Sequence, residues 1–278
     1  MALNLGAVGV TVGPFEHPYT WKDVALYALA VGADTSDLGY LLDPTPRVLP
    51  TWGVIPGFVP VFAALDHIGG DRVQLLHSAQ RVELVKPFPH EGLMVTTGHV
   101  LGIWDLRIGA LVNIETRTRV AGELHMRTVW TLLLRGEGGF QGERAPSLLR
   151  TKLPKDKAPD FSADWRTQET QALLYRLTGD INPIHARPEV AQAAGFERPI
   201  LHGLCSYGFA GRVALKALAG DDPKRFRSLE GRFTSPVMPG QTLRVDGYVL
   251  EPGKAALTVK VCETNELAIG HCLFEYEV

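Results

Sequence analysis

The chain is poor in cysteine, in charge of one sign and in long apolar runs, and each shortage removes a class of protein. Its 278 residues include three cysteines, Cys205, Cys262 and Cys272. An odd number without a C-x-x-C pair builds neither a disulfide framework nor a cysteine zinc site, so a reducing compartment is expected. Lysine and arginine number 28 against 30 aspartates and glutamates, a net charge of −2, and no five basic residues stand in a row. No nucleic-acid partner is therefore expected, although a local anionic ligand stays possible. The opening residues Met1-Ala2-Leu3-Asn4-Leu5-Gly6 lack a basic segment followed by an apolar one. The longest apolar-looking stretch, Val24 to Ala33, falls far short of the roughly 20 residues that span a bilayer, and no membrane partner is expected. The last residues, Tyr276-Glu277-Val278, do not match the S-K-L peroxisomal address, and a cytoplasmic location is expected.

What the chain does have is enough apolar material, 45% of its residues, for one large core or two of about 130 residues. It also repeats itself. Tyr27-Ala28-Leu29-Ala30-Val31-Gly32 echoes Tyr175-Arg176-Leu177-Thr178-Gly179 at a spacing of 148 residues. Pro50-Thr51-Trp52-Gly53 echoes Pro199-Ile200-Leu201-His202, and Lys86-Pro87-Phe88-Pro89 echoes Ser235-Pro236-Val237-Met238, both at 149. Three matches in one order at a nearly constant spacing indicate two copies of one unit. The boundaries read as a first unit over 1–145, a Pro- and charge-rich linker over 146–160, and a second unit over 161–278.

In the second unit, Asp164 is expected to cap a helix that carries Leu173, Leu174 and Leu177 and stops at Gly179. Pro188 opens a short helix that Gly195 ends. From Gly203 to Ala219 apolar or small residues recur at Leu204, Tyr207, Gly208, Gly211, Leu215 and Leu218, the stripe of an amphipathic helix. Its two internal glycines imply that something packs closely there, because each costs about 1 kcal/mol relative to alanine. Strands are expected at Arg227–Phe233, Thr242–Leu250, Ala255–Cys262 and Ala268–Tyr276, with turns at Pro239-Gly240, Pro252-Gly253 and Asn265-Glu266. Helices followed by an antiparallel meander exclude a doubly wound parallel sheet and indicate an α+β fold. The first unit has strand candidates at Val82–Val85, Met94–Trp104, Leu106–Glu115 and Leu124–Leu134. Its stretch Gly53–Gly70, interrupted by Pro56 and Pro60, lacks the clean periodicity of its counterpart, so its long helix is expected to be lost or remodelled.

The densest polar cluster is Gly179-Asp180-Ile181-Asn182-Pro183-Ile184-His185, followed by His202-Gly203. On a helix the acid and the histidine would splay apart, but Gly179 and Pro183 force a turn that brings both over one spot, where a water can be held. A carboxylate beside an imidazole raises the histidine pKa and partial burial raises the acid's, so either can move a proton near neutrality. The residues alone equally allow Asp180 to cap the turn and His185 to be a satisfied loop residue. Gly136 to Gly142 lacks the Lys-Ser/Thr ending of a phosphate loop, and Asp180, His185 and His202 match no established metal-ligand spacing; no metal site is expected.

The run Tyr175 to His185, with Ala194-Gly195-Phe196 and Pro199-Ile200-Leu201-His202-Gly203-Leu204-Cys205, resembles the signature of the 2-enoyl-CoA hydratase 2 (MaoC-like, R-specific) family. The likeness extends over nearly the whole chain, through Leu76-His77, Lys86-Pro87-Phe88-Pro89, Gly138-Gly139-Phe140 and Arg232-Phe233. It implies a double hot dog fold, in which a long helix is wrapped by an antiparallel sheet twice, with the N-terminal copy incomplete. It implies reversible addition of water to a trans-2-enoyl-CoA of medium to long chain, giving the (3R)-3-hydroxyacyl-CoA, with no cofactor beyond the substrate's own CoA and with a homodimeric assembly. Asp180 and His185 would hold and activate the water, with Asp180 as base, Asn182 would orient it, and the Gly203 amide would face the thioester oxygen. That amide suits the role, since the first N–H groups of a helix are unpaired and its dipole favours negative charge. His77, Ser78, Ile181, Pro183, Ile184 and Phe233 would line the acyl-CoA groove, and Arg107 stands nearest to a family lysine that meets phosphate. The family's His-Gly-Glu-Gln reads His77-Ser78-Ala79-Gln80 here. Trp52, Phe58, Val61, Phe62 and Leu65 would wall an apolar channel where the first unit's helix is missing. Two rival readings follow from the same residues: a thioesterase using Cys205 with His202, or a non-catalytic acyl-CoA-binding module.

Overall fold

The computed structural model describes residues 2–72, 75–146 and 151–278; of the expected linker, residues 147–150 lie outside the described residues. Ten strands form one antiparallel sheet. The first five are β1 (Thr11–Tyr19), β2 (Leu75–Leu84), β3 (Gly92–Asp105), β4 (Gly109–Val120) and β5 (Glu123–Arg135). The second five are β6 (Phe161–Arg166), β7 (Phe226–Phe233), β8 (Thr242–Glu251), β9 (Lys254–Val261) and β10 (Leu267–Tyr276). Across the sheet they run β1-β3-β4-β5-β2-β7-β10-β9-β8-β6, so each half has the same order read from its own edge. The halves meet where β2 pairs with β7, in the register Ala79 to Arg232, Arg81 to Glu230 and Glu83 to Ser228. Antiparallel pairing of like strands puts a pseudo-twofold axis at the Arg81–Glu230 ion pair, N···O 3.2 Å, whose members are 149 residues apart. That is the spacing at which the sequence echoes itself.

The four strands expected in the second unit fall within a residue or two of expectation, while β2 starts seven residues before the expected Val82–Val85. Strands β1 and β6 were not expected, for definite reasons. Strand β1, for which no element was expected, contains Gly13, Pro14 and Pro18, and it lies at the sheet edge, where proline costs no ladder bond. Asp164 caps no helix. It sits on edge strand β6 and grips Arg244 of β8 through two bonds of 2.7 and 2.6 Å. The helix beyond it, α3 (Gln171–Arg176), starts instead after Thr170.

Helix α1 (Trp21–Ala30) opens the helical layer of the first unit with a capping box, in which the Asp23 carboxylate accepts the N–H of Thr20. The first unit keeps its long helix in altered form. Pro50–Gly57 runs as a 3-10 stretch and continues into α2 (Phe58–Ile68). Prolines 50, 56 and 60 withhold the N–H groups a regular α-helix would use, which explains both the tighter winding and the unclear periodicity. This 19-residue stretch, and not Val24–Ala33, is apolar enough by composition to cross a bilayer, yet all of Pro50–Gly57 is buried beneath the sheet as a core element. The channel expected from a missing helix is therefore occupied: Trp52, Val61 and Leu65 are buried in the core, Phe58 is half-buried and Phe62 is exposed. The first unit has a polar bend of its own after α1, where Asp34 Oδ1 accepts the N–H of Ser36 at 2.7 Å, but no histidine stands between Gly32 and Leu49.

The second unit adds α4 (Pro188–Ala193) and the long α5 (Gly203–Leu218). The two glycines of α5 are where the first unit touches it. A Cβ on Gly208 would lie 2.5 Å from Val31 and 2.7 Å from the Tyr27 hydroxyl, and one on Gly211 would lie 2.6 Å from Thr51. Cross-unit polar contacts extend the seam, with buried Asp37 accepting from Arg212 at 2.8 Å and Lys216 at 2.9 Å. Gly208→Ala and Gly211→Ala should each lower stability by about 1–3 kcal/mol through overpacking, against the roughly 1 kcal/mol that alanine gains in a free helix. Urea denaturation measures the sign; two stabilised variants would show that the units do not bear on each other here.

Candidate active site

The polar cluster is held by its own backbone. After α3 the chain turns at Gly179, φ +139°, a conformation that favours glycine. Asp180 Oδ1 then accepts the N–H of Asn182 at 3.2 Å, and Asn182 Oδ1 accepts the N–H of Ile184 at 3.2 Å, leading into a single 3-10 turn, Pro183–His185. These two successive Asx turns fold the five-residue spacing back on itself. His185 is thereby buried, while Ile181, 70% exposed, stands with Asn182 and Pro183 at the surface and Ile184 is half-buried behind them.

The second wall comes from the segment entering α5. His185 Nδ1 lies 2.8 Å from the carbonyl oxygen of Ile200, and His202 Nε2 lies 3.1 Å from that of Asp180. A carbonyl oxygen only accepts, so each of those nitrogens carries the proton. His185 is left with Nε2 as a free acceptor. The two rings stack with centroids 3.7 Å apart, and the polar atoms of Asp180, His185 and His202 lie within 4.8 Å of one another. One nitrogen of each ring is committed to a backbone carbonyl, which leaves His185 Nε2 and the Asp180 carboxyl as the groups facing a water between them. Gly203, the first residue of α5, is exposed, so the amide at the helix head is reachable. A Cβ at Gly203 would come 2.9 Å from the ring of Phe233.

Burial governs the electrostatics. It raises the Asp180 carboxyl above its usual range, against the opposing pull of His185. It lowers His185 below its ordinary 6.5 although Asp180 stands beside it. The sequence alone pointed to a raised histidine; the structure reverses this, because loss of solvent outweighs the neighbouring charge. His202 falls well below 6.5 through burial and then through His185. Both imidazoles are neutral at pH 7 and act as one-donor, one-acceptor groups.

His77, from across the sheet seam, meets Phe233 of the second unit, which lies against Gly203. His77 stacks on Trp130 with centroids 5.0 Å apart and planes 10° apart, and meets Phe233 at 4.9 Å with the rings tilted by 58°; Phe58 meets Trp130 edge-on at 5.1 Å. An aromatic wall thus runs from Phe58 through Trp130, His77 and Phe233 to Gly203. Burial pushes His77 down to about 4. Strict alternation back from Val82 would point Ser78 inward, but a β-bulge between His77 and Ala79 makes Ser78 the extra residue and turns His77 to the inner face. Trp130 and the Ile200 carbonyl escaped the sequence reading: the first is an ordinary inward residue of β5, and a backbone acceptor leaves no signal in residue type. Arg107 is not brought in. It occupies the β3–β4 hairpin tip at φ +64°, exposed, its amide bonded to Asp105, and among the described residues no contact joins it to the acid–imidazole cluster.

Comparison with known proteins places nearly the whole chain among one group of relatives. Residues 151–270 match the MaoC like domain, and residues 17–136 match the MFE-2 hydratase 2 N-terminal domain. The chain belongs to the MaoC-like hydratase 2 family. It is 39% identical over 275 residues to 3-hydroxyacyl-thioester dehydratase Y of Mycobacterium tuberculosis, covering 95% of this chain and 94% of that one. It is 38% identical over 250 residues to a probable enoyl-CoA hydratase 2 of Dictyostelium discoideum, covering 87% and 85%. The solved structure of a MaoC-like dehydratase from Phytophthora capsici superposes with a TM-score of 0.89 at 29% identity, covering 99% of this chain and 98% of that one.

Within this family member Cys205 has no nucleophilic setting. It is fully buried, its thiol points at the carbonyl of Ala30 at 3.2 Å, and burial pushes its pKa up, away from thiolate. Iodoacetamide under native conditions should therefore label Cys262, which is exposed, and spare the buried Cys205 and Cys272. Mass spectrometry of the tryptic peptides reads this directly, and rapid alkylation of Cys205 would revive the thioesterase reading.

Proposed function

We propose that this chain is an (R)-specific 2-enoyl-CoA hydratase, equally a (3R)-3-hydroxyacyl-CoA dehydratase. The observation that carries the reading is a carboxyl and a neutral imidazole with a free acceptor nitrogen held within 4.8 Å of each other and of His202, the residue that precedes an exposed helix-head glycine. C3 of an enoyl thioester becomes electrophilic only when negative charge can move onto the thioester oxygen, and the Gly203 N–H faces that oxygen as an enolate develops. One such donor is worth about 3 kcal/mol in the barrier.

The water lies between Asp180 and His185. Its oxygen bonds to C3 while His185 Nε2 takes one of its protons; the electron pair of the C2–C3 double bond passes to the thioester oxygen. As the enolate collapses, C2 takes the proton carried by Asp180, whose raised pKa suits it to hold one. Proton return from the imidazolium to the carboxylate, through the new hydroxyl or a water, restores the pair. This division reverses the assignment of Asp180 as base, because the Nδ1–H bond to Ile200 leaves His185 Nε2 ready to accept. Asn182 keeps the bend in shape through its side chain. Exposed Ile181 and Pro183 offer an apolar lip to the acyl-CoA, and the aromatic wall offers the acyl tail a surface suited to medium or long chains. A homodimer in the cytoplasm completes the proposal, supported by the free thiols and by the exposed apolar surface at Leu173 and Leu177.

Supplying crotonyl-CoA and a ten-carbon trans-2-enoyl-CoA should bleach the conjugated thioester absorbance and yield the 3R alcohol. Asp180→Asn and His185→Gln should each lower kcat by about 10²–10⁴-fold with KM changed far less. Release of free CoA thiol in place of the alcohol would overturn the reading in favour of hydrolysis. The pH profile supplies a separate check. His185 must be neutral to accept a proton, and burial places its pKa below 6.5, so kcat/KM should hold at pH 6.5 and fall only as pH drops further. An acid limb at or above pH 6.5 would contradict a dry, lowered His185.

A further inference from the structure

We infer that His202 is a positioning residue for this reaction: its Nε2–H pins the backbone carbonyl of Asp180 while its ring backs His185, so that one side chain holds both proton-moving groups against the helix head. The inference rests on the hydratase reading for its kinetic consequence, but its structural content stands independently. His202 immediately precedes Gly203 and occupies the N-cap of α5, where its side chain makes no cap bond at all. N-cap residues ordinarily turn a side-chain oxygen onto the free N–H groups of the first turn. Here those groups are left open, and the one N–H of a neutral imidazole is sent 22 residues back along the chain, to Asp180.

The ring is 1% exposed and lies between the rings of His185, at 3.7 Å, and Tyr175, at 4.8 Å. Its other nitrogen, Nδ1, is buried with no hydrogen-bond partner among the described residues. A side chain needed only to fill space would be apolar, since a buried acceptor left unpaired is costly. What the histidine adds over phenylalanine is the bond to the Asp180 carbonyl. That bond ties the bend carrying the acid to the very residue that precedes the oxyanion-facing amide. Without it, the Asp180 carboxyl is located by the bend alone, and displacement of a reacting group by about 1 Å can cost on the order of 10²-fold in rate.

Two variants separate the bond from the packing. His202→Phe keeps a flat ring against His185 and removes the donor; His202→Gln supplies an amide N–H at comparable reach and removes the ring. With a ten-carbon enoyl-CoA, His202→Phe should lose about 10–100-fold in kcat with KM within about threefold of the parent, and His202→Gln should recover most of that loss. His202→Phe within twofold of the parent, or His202→Gln as impaired as His202→Phe, would overturn the inference. A third measurement needs neither turnover nor a folded variant. In the unmodified full-length protein at pH 7.5, side-chain nitrogen NMR should show His202 protonated on Nε2 and bare on Nδ1, the reverse of His185. A proton on His202 Nδ1 would refute the clamp whatever the reaction, whereas both tautomers as stated with no hydration by the parent protein would refute the hydratase reading and leave the clamp intact.

Discussion

The pairing of β2 with β7 is the constraint on which the rest of the molecule depends. Each unit alone would end in an unpaired strand edge, a surface that invites association. Joining the two edges makes a single ten-stranded sheet and places an axis of approximate twofold symmetry at Arg81 and Glu230. The same junction carries His77 of the first unit against Phe233 of the second, and Phe233 against Gly203. The helix whose head supplies the exposed amide is also wedged, through Gly208 and Gly211, against Tyr27, Val31 and Thr51 of the other unit. Stability and site geometry are thus set by the same surface.

Dryness rather than charge pairing sets the chemistry. In water, an aspartate beside a histidine becomes an ion pair. Here the cost of removing solvent from both groups exceeds their attraction, so each is driven toward its neutral form. A neutral imidazole able to accept a proton, beside a carboxyl whose hold on one is strengthened, suits addition of water across a double bond. The backbone carbonyls of Ile200 and Asp180 then choose which nitrogen of each imidazole carries the proton, a choice made by main-chain geometry with no ionised neighbour needed.

Much of this was legible in the sequence where local chemistry and global fold agree. The Asp180–His185 bend announced itself because Gly179, Asn182 and Pro183 each dictate a specific backbone shape, and α5 because its apolar stripe survives two glycines. The echo at 148–149 residues indicated two copies of one unit, and the pairing of β2 with β7 turns that duplication into a symmetry axis. Other features were hidden for physical reasons. Strand β1 carries prolines that only an edge permits, the first unit's helix is disguised by three prolines, and the inward turn of His77 depends on a bulge that breaks alternation. The lowered pKa of His185 is a property of burial, which adjacency in sequence cannot convey. The fold class was readable from pattern, while the identities of the residues touching the bend from outside, Ile200 and Trp130, required tertiary structure.

The pseudo-twofold axis has one further consequence. A symmetric pair of such units would present two equivalent mouths, but the bend after α1 of the first unit, with Asp34 and Ser36, has no histidine to match His185. Fusion into one polypeptide has therefore permitted a division of labour: one half is bound to the reaction's proton inventory, and the other, released from it, is free to vary in shape. Phe58 and Trp130 can change without touching Asp180 or His185, so diversification among such chains should concentrate in the silent half.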